Sequence, residues 1–535
     1  MEHATHASTS TIGAARGSAE PRRPLPSLIR YSPALVIIAI AIADAVRIAD
    51  PDLWGHVRFG EIAIRQGHLL LRDTFSYSAP GHIFQDHEWL TDIVTAAAYD
   101  TLGVFGLKLL KLLFTGAAIL MVALADAETG APELAQFAIL IAVAAISAPY
   151  FQFRPQTFTF TLFAAVMLIL TREAYGRRVR LWVLLPIFIV WANLHGGFIM
   201  GLAALGTCAV IGGAQDLAAG RGPARLVRLS AITVGATLAT LLTPYGIGIW
   251  IAIAHALANP FTRVAVADWQ PLIRSLIKAF DTGFGSAFFA LLPVAIIVGF
   301  AAAWIIAPDG ADLPIVAVAA LMATAAFISQ RNIPIALIAI APALARHGWL
   351  ARQRLRDEGN ATDLAEPSAP EPTLIQIAGC AIAIVLFAGT GMFSRRLRTT
   401  EPYPAGAVAF MQLHGLRGNV LNNFLWGDYL IWHLAPGSKV FIDGRYDTVY
   451  PQSVLRDFML FHFDQPDGAA ILSKYPSDFV MISPESQAVK MMSARSDWRL
   501  IYRDSSTLLY ARGGSPAARL AGVPIIGTAQ PSTFP

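Results

Sequence analysis

The chain has 535 residues, 55% of them hydrophobic and 14% charged, with a formal net charge of +4 and a mean hydropathy of +0.53. A soluble globular protein carries about 25% charged residues, so this deficit, with its many long apolar runs, excludes an ordinary soluble enzyme and indicates a polytopic membrane protein. The arginines cluster beside apolar segments, so the basic balance reflects membrane topology rather than nucleic-acid binding; the two cysteines, Cys208 and Cys380, lie inside apolar runs and offer neither a disulfide framework nor zinc spacing.

Residues 1–27 are rich in Ala, Ser, Thr, Pro and Arg and read as a disordered tail. Arg22, Arg23 and Arg30 precede the apolar run Tyr31–Val46, which ends at Asp44 and Arg47 without a clear small-residue cleavage site. This is an uncleaved first helix with a cytoplasmic N-terminus. Further spans are expected at 105–125, 133–149, 157–171, 181–195, 197–215, 228–242, 285–307, 313–328, 332–345 and 373–393. Together with the first at 31–48 they make about eleven. Three of the loops this places in the cytoplasm carry arginine clusters: Arg172, Arg177, Arg178 and Arg180; Arg221, Arg225 and Arg228; Arg346, Arg352, Arg354 and Arg356. No internal repeat is evident, which weakens a secondary-transporter reading.

The same alternation gathers the polar, aromatic and Gly-rich junctions on the outer face. They are the loop 49–90, Tyr150–Gln156, Asn193–Gly197, Thr243–Gly246, Ala267–Gln270 and Gln330–Asn332. Beyond residue 395 the composition becomes that of a soluble domain. Strands are expected at Asn419–Asn422, Lys439–Ile442 and Asp478–Ile482, with a hairpin from Trp498–Arg503 and Thr507–Arg512. Helices fall near Val454–Phe461 and Ala469–Lys474. The expected fold is therefore an all-α polytopic membrane domain (28–394) followed by a small α/β domain (395–513) on the outer face, with a disordered tail at 514–535.

The chemistry concentrates in the first outer loop. A carboxylate beside hydrocarbon is costly unless it is paired, bound to a metal or facing water. Asp50 and Asp52 flank Pro51, so both leave the helix end in extended or turn geometry; either can act as a base, and the alternative is capping or pairing with Arg47 and Arg58. Asp86, His87 and Glu88 form a second group, or else the first-turn acids of a helix starting near Trp89. His56 shares a helical face with Asp52, and Arg58 suits a phosphate or lipid headgroups. Arg154 and Arg331 are the other outer cations, His195 sits in a glycine-rich turn, and Trp269 can stack on a sugar ring or lie at the interface. In the soluble domain, local ion pairing is the expected role of Asp443-Gly444-Arg445. Walker A, GxGxxG, HExxH and GxSxG motifs are absent.

Asp52-x-x-x-His56-x-Arg58, directly after the first membrane helix, resembles the acidic motif of the GT-C glycosyltransferases. It is similar to the Asp-Pro-Trp-x-x-x-Arg pattern of oligosaccharyltransferase catalytic subunits and to the acidic loop of protein mannosyltransferases. The Trp-Trp-Asp signature of the former is missing; Asn423-Phe424-Leu425-Trp426-Gly427-Asp428 is a distant echo. The resemblance implies a multi-pass protein of the bacterial inner membrane with a periplasmic C-terminal domain. It implies transfer of a sugar from a polyprenyl-phosphate-linked donor to a lipid, glycan or protein acceptor. Asp52 would be the catalytic acid or base, with Asp50, Asp86 and Glu88 as further catalytic carboxylates. His56, Arg58, His87, Arg154, His195, Trp269 and Arg331 would bind substrate, and Asp52 with Asp86 would hold a divalent cation such as Mg or Mn. A metal-independent ligase of the O-antigen type using His195 or His87, or a non-enzymatic transporter or scaffold, are the alternatives.

Overall fold

The computed structural model describes residues 48–259, 261, 266–358, 394–399, 402–446, 448–522 and 533–534. The expected N-terminal tail and the spans at 31–48 and 373–393 lie outside these residues, apart from Ile48. Every other expected span coincides with a helix. Helix α1 (Leu53–Gln66) follows Asp52 directly. Helix α2 (Trp89–Ala127) has 39 residues but is broken at Gly103, where φ is 61°, so its apolar half begins where the span 105–125 is expected. Then come α3 (Glu133–Ser147), α4 (Gln156–Ala174), α5 (Leu184–Leu194), α6 (Phe198–Ala218), α7 (Ala224–Ala239) and α8 (Gly248–Ala258). Helices α9 (Leu272–Thr282), α10 (Phe284–Ile306), α11 (Leu313–Ile328) and α12 (Ile333–Glu358) complete the bundle. Six helices among the described residues are long and apolar enough to cross a membrane.

The bundle is layered by what each helix touches. In α12 the run Ile335–Ala341 is buried throughout, and with Ile315, Val318 and Ala319 of α11 and Phe163 and Met167 of α4 it forms the apolar centre. Helix α10 lies outside it, with Phe284, Phe289 and Ile305 exposed, the pattern of a helix facing lipid. Helix α9 was not among the expected elements. It exposes Ile273, Ile277 and Phe280 one turn apart, which gives it an apolar stripe suited to lying in the interface.

The C-terminal domain is a five-stranded mixed sheet in the order β4-β3-β5-β7-β6. Its strands are β3 (Gly418–Asn422), β4 (Ser438–Val440), β5 (Phe479–Ile482), β6 (Trp498–Arg503) and β7 (Leu508–Arg512). Strands β4, β3 and β5 run parallel, with Val420 opposite Val440 and Phe479, and β7 closes antiparallel on β5 and β6. All four residues of β5 are buried, as befits a strand covered on both faces. Helix α13 (Ala405–Leu413), α14 (Gly427–Leu434), α15 (Gln452–His462) and the short α16 (Ile471–Lys474) and α17 (Ala488–Ser493) pack around it.

Two connections fix this domain on the membrane body. Residues 75–77 of the first loop extend the sheet past β4: Val440 N–H donates to Phe75 O at 3.0 Å and Tyr77 N–H to Val440 O at 3.1 Å. This satisfies backbone groups that an edge strand would leave unpaired. Second, β1 (Ile48–Ala49) pairs with β2 (Leu397–Thr399), which pairs with β8 (Thr533–Phe534). Residues 533–534 fall in the stretch expected to be disordered. They are ordered because Phe534 is fully buried, its ring 4.6 Å from that of Trp54 and within 6 Å of those of Tyr99 and Trp432. That aromatic burial depends on partners hundreds of residues away, and local composition does not reveal it.

Candidate active site

The first loop places Asp52 at the mouth of α1. Asp50 is buried, its Oδ1 accepting the Asp52 N–H at 3.0 Å while its other oxygen pairs with Arg154. Arg154 also pairs with Asp268, one residue before Trp269, and the guanidinium of Arg331 stacks on the Trp269 ring at 4.4 Å. The outer junctions at 50, 154, 268 and 331 thus form one chain of contacts. Asp50 is a structural clamp in this chain, because both its oxygens are engaged.

Helices α1 and α2 cross where Gly60 lies on Asp92: a Cβ at residue 60 would stand 2.0 Å from the Asp92 carbonyl oxygen. Only glycine permits this approach, and it brings His56 Nδ1 within 2.6 Å of Asp92 Oδ1. His56 therefore pairs with Asp92 rather than with Asp52. Burial works against its charge, but the Asp92 carboxylate and its hydrogen bond prevail and raise the imidazolium to about 10.

Asp52, His56, Phe59, Phe84, Asp86, His87 and Glu88 line one cavity of about 70 Å³, with Asp92, Asp428, Gly444 and Arg445 among its other walls. Its carboxylates are driven apart. Burial, reinforced by the Asp50 charge, raises Asp52 to about 7. Burial and the Asp92 charge raise Asp86 well above the usual range. Burial also opposes the charge on Glu88, but the positive groups around it, His87 first and then His56 and Arg331, outweigh it and hold this carboxyl low. The three carboxyls are thereby held apart, Asp86 high, Glu88 low and Asp52 near neutrality, the kind of separation that goes with distinct acid and base roles.

His195 Nδ1 accepts from the Gly197 N–H at 3.0 Å and lies 2.7 Å from Thr159 Oγ1. The proton therefore sits on Nε2, which faces Glu88 Oε1 at 3.5 Å. Burial lowers this imidazole to about 3, so His195 is a neutral donor that orients Glu88 and is not a base. His87 Nε2 approaches the same oxygen at 3.8 Å. Arg58 is placed elsewhere: it pairs with Glu61 along α1 at 3.1 Å, the local salt bridge that a helix favours at three-residue spacing. All the other predicted site residues are brought into one neighbourhood. For the cation expected at Asp52 and Asp86, the described residues contain no group of three His, Cys, Asp or Glu side chains able to hold a metal ion. These side chains alone do not form a metal cradle.

Asp92, Asp428 and Arg445 belong to the cavity and were not among the predicted site residues. Asp92 reads in sequence as an ordinary first-turn acid. Arg445 does make the expected local pair with Asp443, at 2.6 Å, but it also pairs with Asp73 of the first loop at 2.8 Å and reaches the cavity.

A second cavity adjoins the first. Its exposed surface is mostly hydrocarbon, from Leu107, Leu110, Phe114 and Phe158 of α2 and α4, but Lys111, Gln152 and three threonines also line it, and it reaches Arg154 and His56. His56 lines both.

No family model matches the sequence, and no curated protein matches it. The fold is similar to that of ArnT from Cupriavidus metallidurans. The structure of that protein bound to undecaprenyl phosphate aligns with a TM-score of 0.48 at 13% identity, covering 92% of this chain and 99% of that one. Its apo structure aligns with a TM-score of 0.45 at 14% identity, covering 92% and 98%.

Proposed function

We propose that the chain is a membrane glycosyltransferase of the GT-C type that moves a sugar from a polyprenyl-phosphate-linked donor to an acceptor at the outer face of the bacterial inner membrane. The observation that carries this reading is the position of His56, a largely enclosed histidine paired with Asp92, at the junction of an acid-lined chamber and a hydrocarbon-faced groove. The groove offers a track for an isoprenoid chain, and the phosphate that heads the chain would lie by His56 and the Arg154 cluster. The sugar would project into the chamber beside Asp52.

In this arrangement Asp52 takes the proton from the acceptor as its oxygen or nitrogen attacks the anomeric carbon. The bond from that carbon to the phosphate oxygen breaks, and the phosphate leaves with the electron pair. A base held near neutrality is well matched to that step. His56, kept charged by Asp92, stabilises the departing phosphate. Asp86 and Glu88 hold the chamber's hydrogen-bond pattern, Glu88 through His87 and His195.

The test is transfer from an undecaprenyl-phosphate-linked sugar by protein in nanodiscs. Asp52→Asn is expected to lower kcat about a hundredfold or more while leaving the melting temperature and the binding of undecaprenyl phosphate unchanged. Full transfer by the folded variant would remove Asp52 from the mechanism. A chelator is expected to leave the wild-type rate within about twofold, since the described residues contain no group of three His, Cys, Asp or Glu side chains arranged to hold a divalent cation.

A further inference from the structure

Asp428, in the first turn of α14, is 4% exposed and Arg445 is 6% exposed, and both line the chamber from the side of the C-terminal domain. Each is only partly satisfied. Asp428 Oδ2 accepts the Gly444 N–H at 3.1 Å, while its Oδ1 has no hydrogen-bond partner. Arg445 Nε and Nη2 are held by Asp443 at 2.9 and 2.6 Å and Nη2 by Asp73 at 2.8 Å, while Nη1 has no partner. Buried polar atoms are usually paired, so an orphan acceptor and an orphan donor on two residues that line one cavity suit a ligand that offers the reverse.

Two glycines keep this corner open. A Cβ at Gly55 would stand 2.7 Å from Asp428 Oδ1, and one at Gly444 would stand 2.5 Å from Asp428 Oδ2 and 2.8 Å from Asp52 Oδ1. The orphan pair therefore flanks the proposed base. The chemistry selects the ligand class. A phosphate would meet the Asp52 and Asp428 carboxylates, and an ammonium would meet Arg445. A neutral ring bearing hydroxyls suits both orphans, because each hydroxyl donates and accepts, and Phe59 and Phe84, over whose rings the Arg445 guanidinium lies at 4.9 and 5.1 Å, wall the same space.

We propose that Asp428 and Arg445 form a sugar subsite supplied by the C-terminal domain, in which Asp428 Oδ1 accepts from one sugar hydroxyl and Arg445 Nη1 donates to another. This rests on the glycosyltransferase reading and adds to it the part of the chamber that recognises the sugar.

Free glucose, mannose, galactose, arabinose and N-acetylglucosamine serve as probes for saturation-transfer NMR on the full chain in nanodiscs, with undecaprenyl phosphate binding measured in parallel. At least one sugar is expected to bind the wild type. In Asp428→Ala the acceptor is removed altogether, so that binding should weaken about tenfold or more with carrier affinity unchanged. Gly444→Ala, whose new methyl displaces both carboxylates, should do the same and serves if the first variant does not fold. Loss of carrier binding in the wild type would sink the transferase reading itself. Carrier binding with no sugar bound, or with sugar binding equal in the wild type and a folded variant, would overturn the subsite.

Discussion

Asp52 and His56 lie one helical turn apart, and burial acts against the charge of both. For Asp52 nothing nearby fully compensates, and the carboxyl rises to about 7. Its ionised form is needed for proton removal, so kcat/KM should fall tenfold per pH unit below about 7 and level off above it; a pH–rate profile checks this. For His56 the Asp92 carboxylate prevails and the folded imidazolium persists to about 10. A raised histidine contributes stability that is fully present below its unfolded value near 6.5 and is lost as pH rises through about 10. His56→Ala strands the buried Asp92 charge and should cost about 3–5 kcal/mol near pH 7. The melting-temperature gap between wild type and variant should narrow between pH 7 and 10.

At the scale of elements, the strand-like segment 75–77 and the edge strand β4 matter most. Their two backbone hydrogen bonds are joined by a Tyr77 hydroxyl contact to Ser477 Oγ at 2.8 Å and by the Arg445–Asp73 pair. This seam holds the loop that carries Asp86 and Glu88 against the domain that carries Asp428. Tyr77→Pro deletes one ladder donor and should weaken the seam by about 1–2 kcal/mol. Limited proteolysis between residues 67 and 85 should become faster, and transfer should fall with it. Helix α2 shows a related economy: the break at Gly103 separates a juxtamembrane half, which packs on α1, from an apolar half that enters the bilayer.

On the scale of the whole molecule, the first loop and the C-terminal domain share a sheet, so they lie on the same side of the membrane. In a background without native cysteines, His82→Cys and Arg499→Cys should both react with a membrane-impermeant maleimide added to intact cells. Arg178→Cys, between α4 and α5, should react only after permeabilisation. Labelling of position 82 from the cytoplasm would invert the whole arrangement and remove the lipid-linked donor from reach.

Hydropathy and charge were enough to locate nine of the helices, six of them long and apolar enough to cross a membrane, because a membrane helix satisfies its own backbone and needs only a long apolar run. Alternating sidedness likewise grouped Asp52, Asp86, Glu88, Arg154, His195, Trp269 and Arg331 on one face, and the structure brings these side chains into one neighbourhood. The tertiary structure alone distinguished their roles. It assigned Asp50 to a clamp, turned Arg58 onto Glu61 and paired His56 with Asp92, since these outcomes depend on which oxygen a neighbour reaches. It also brought Asp428 and Arg445 nearly four hundred residues along the chain to face Asp52, a proximity set by the added edge of a sheet and by aromatic packing around Trp54. No local pattern encodes a contact whose two sides fold in different domains.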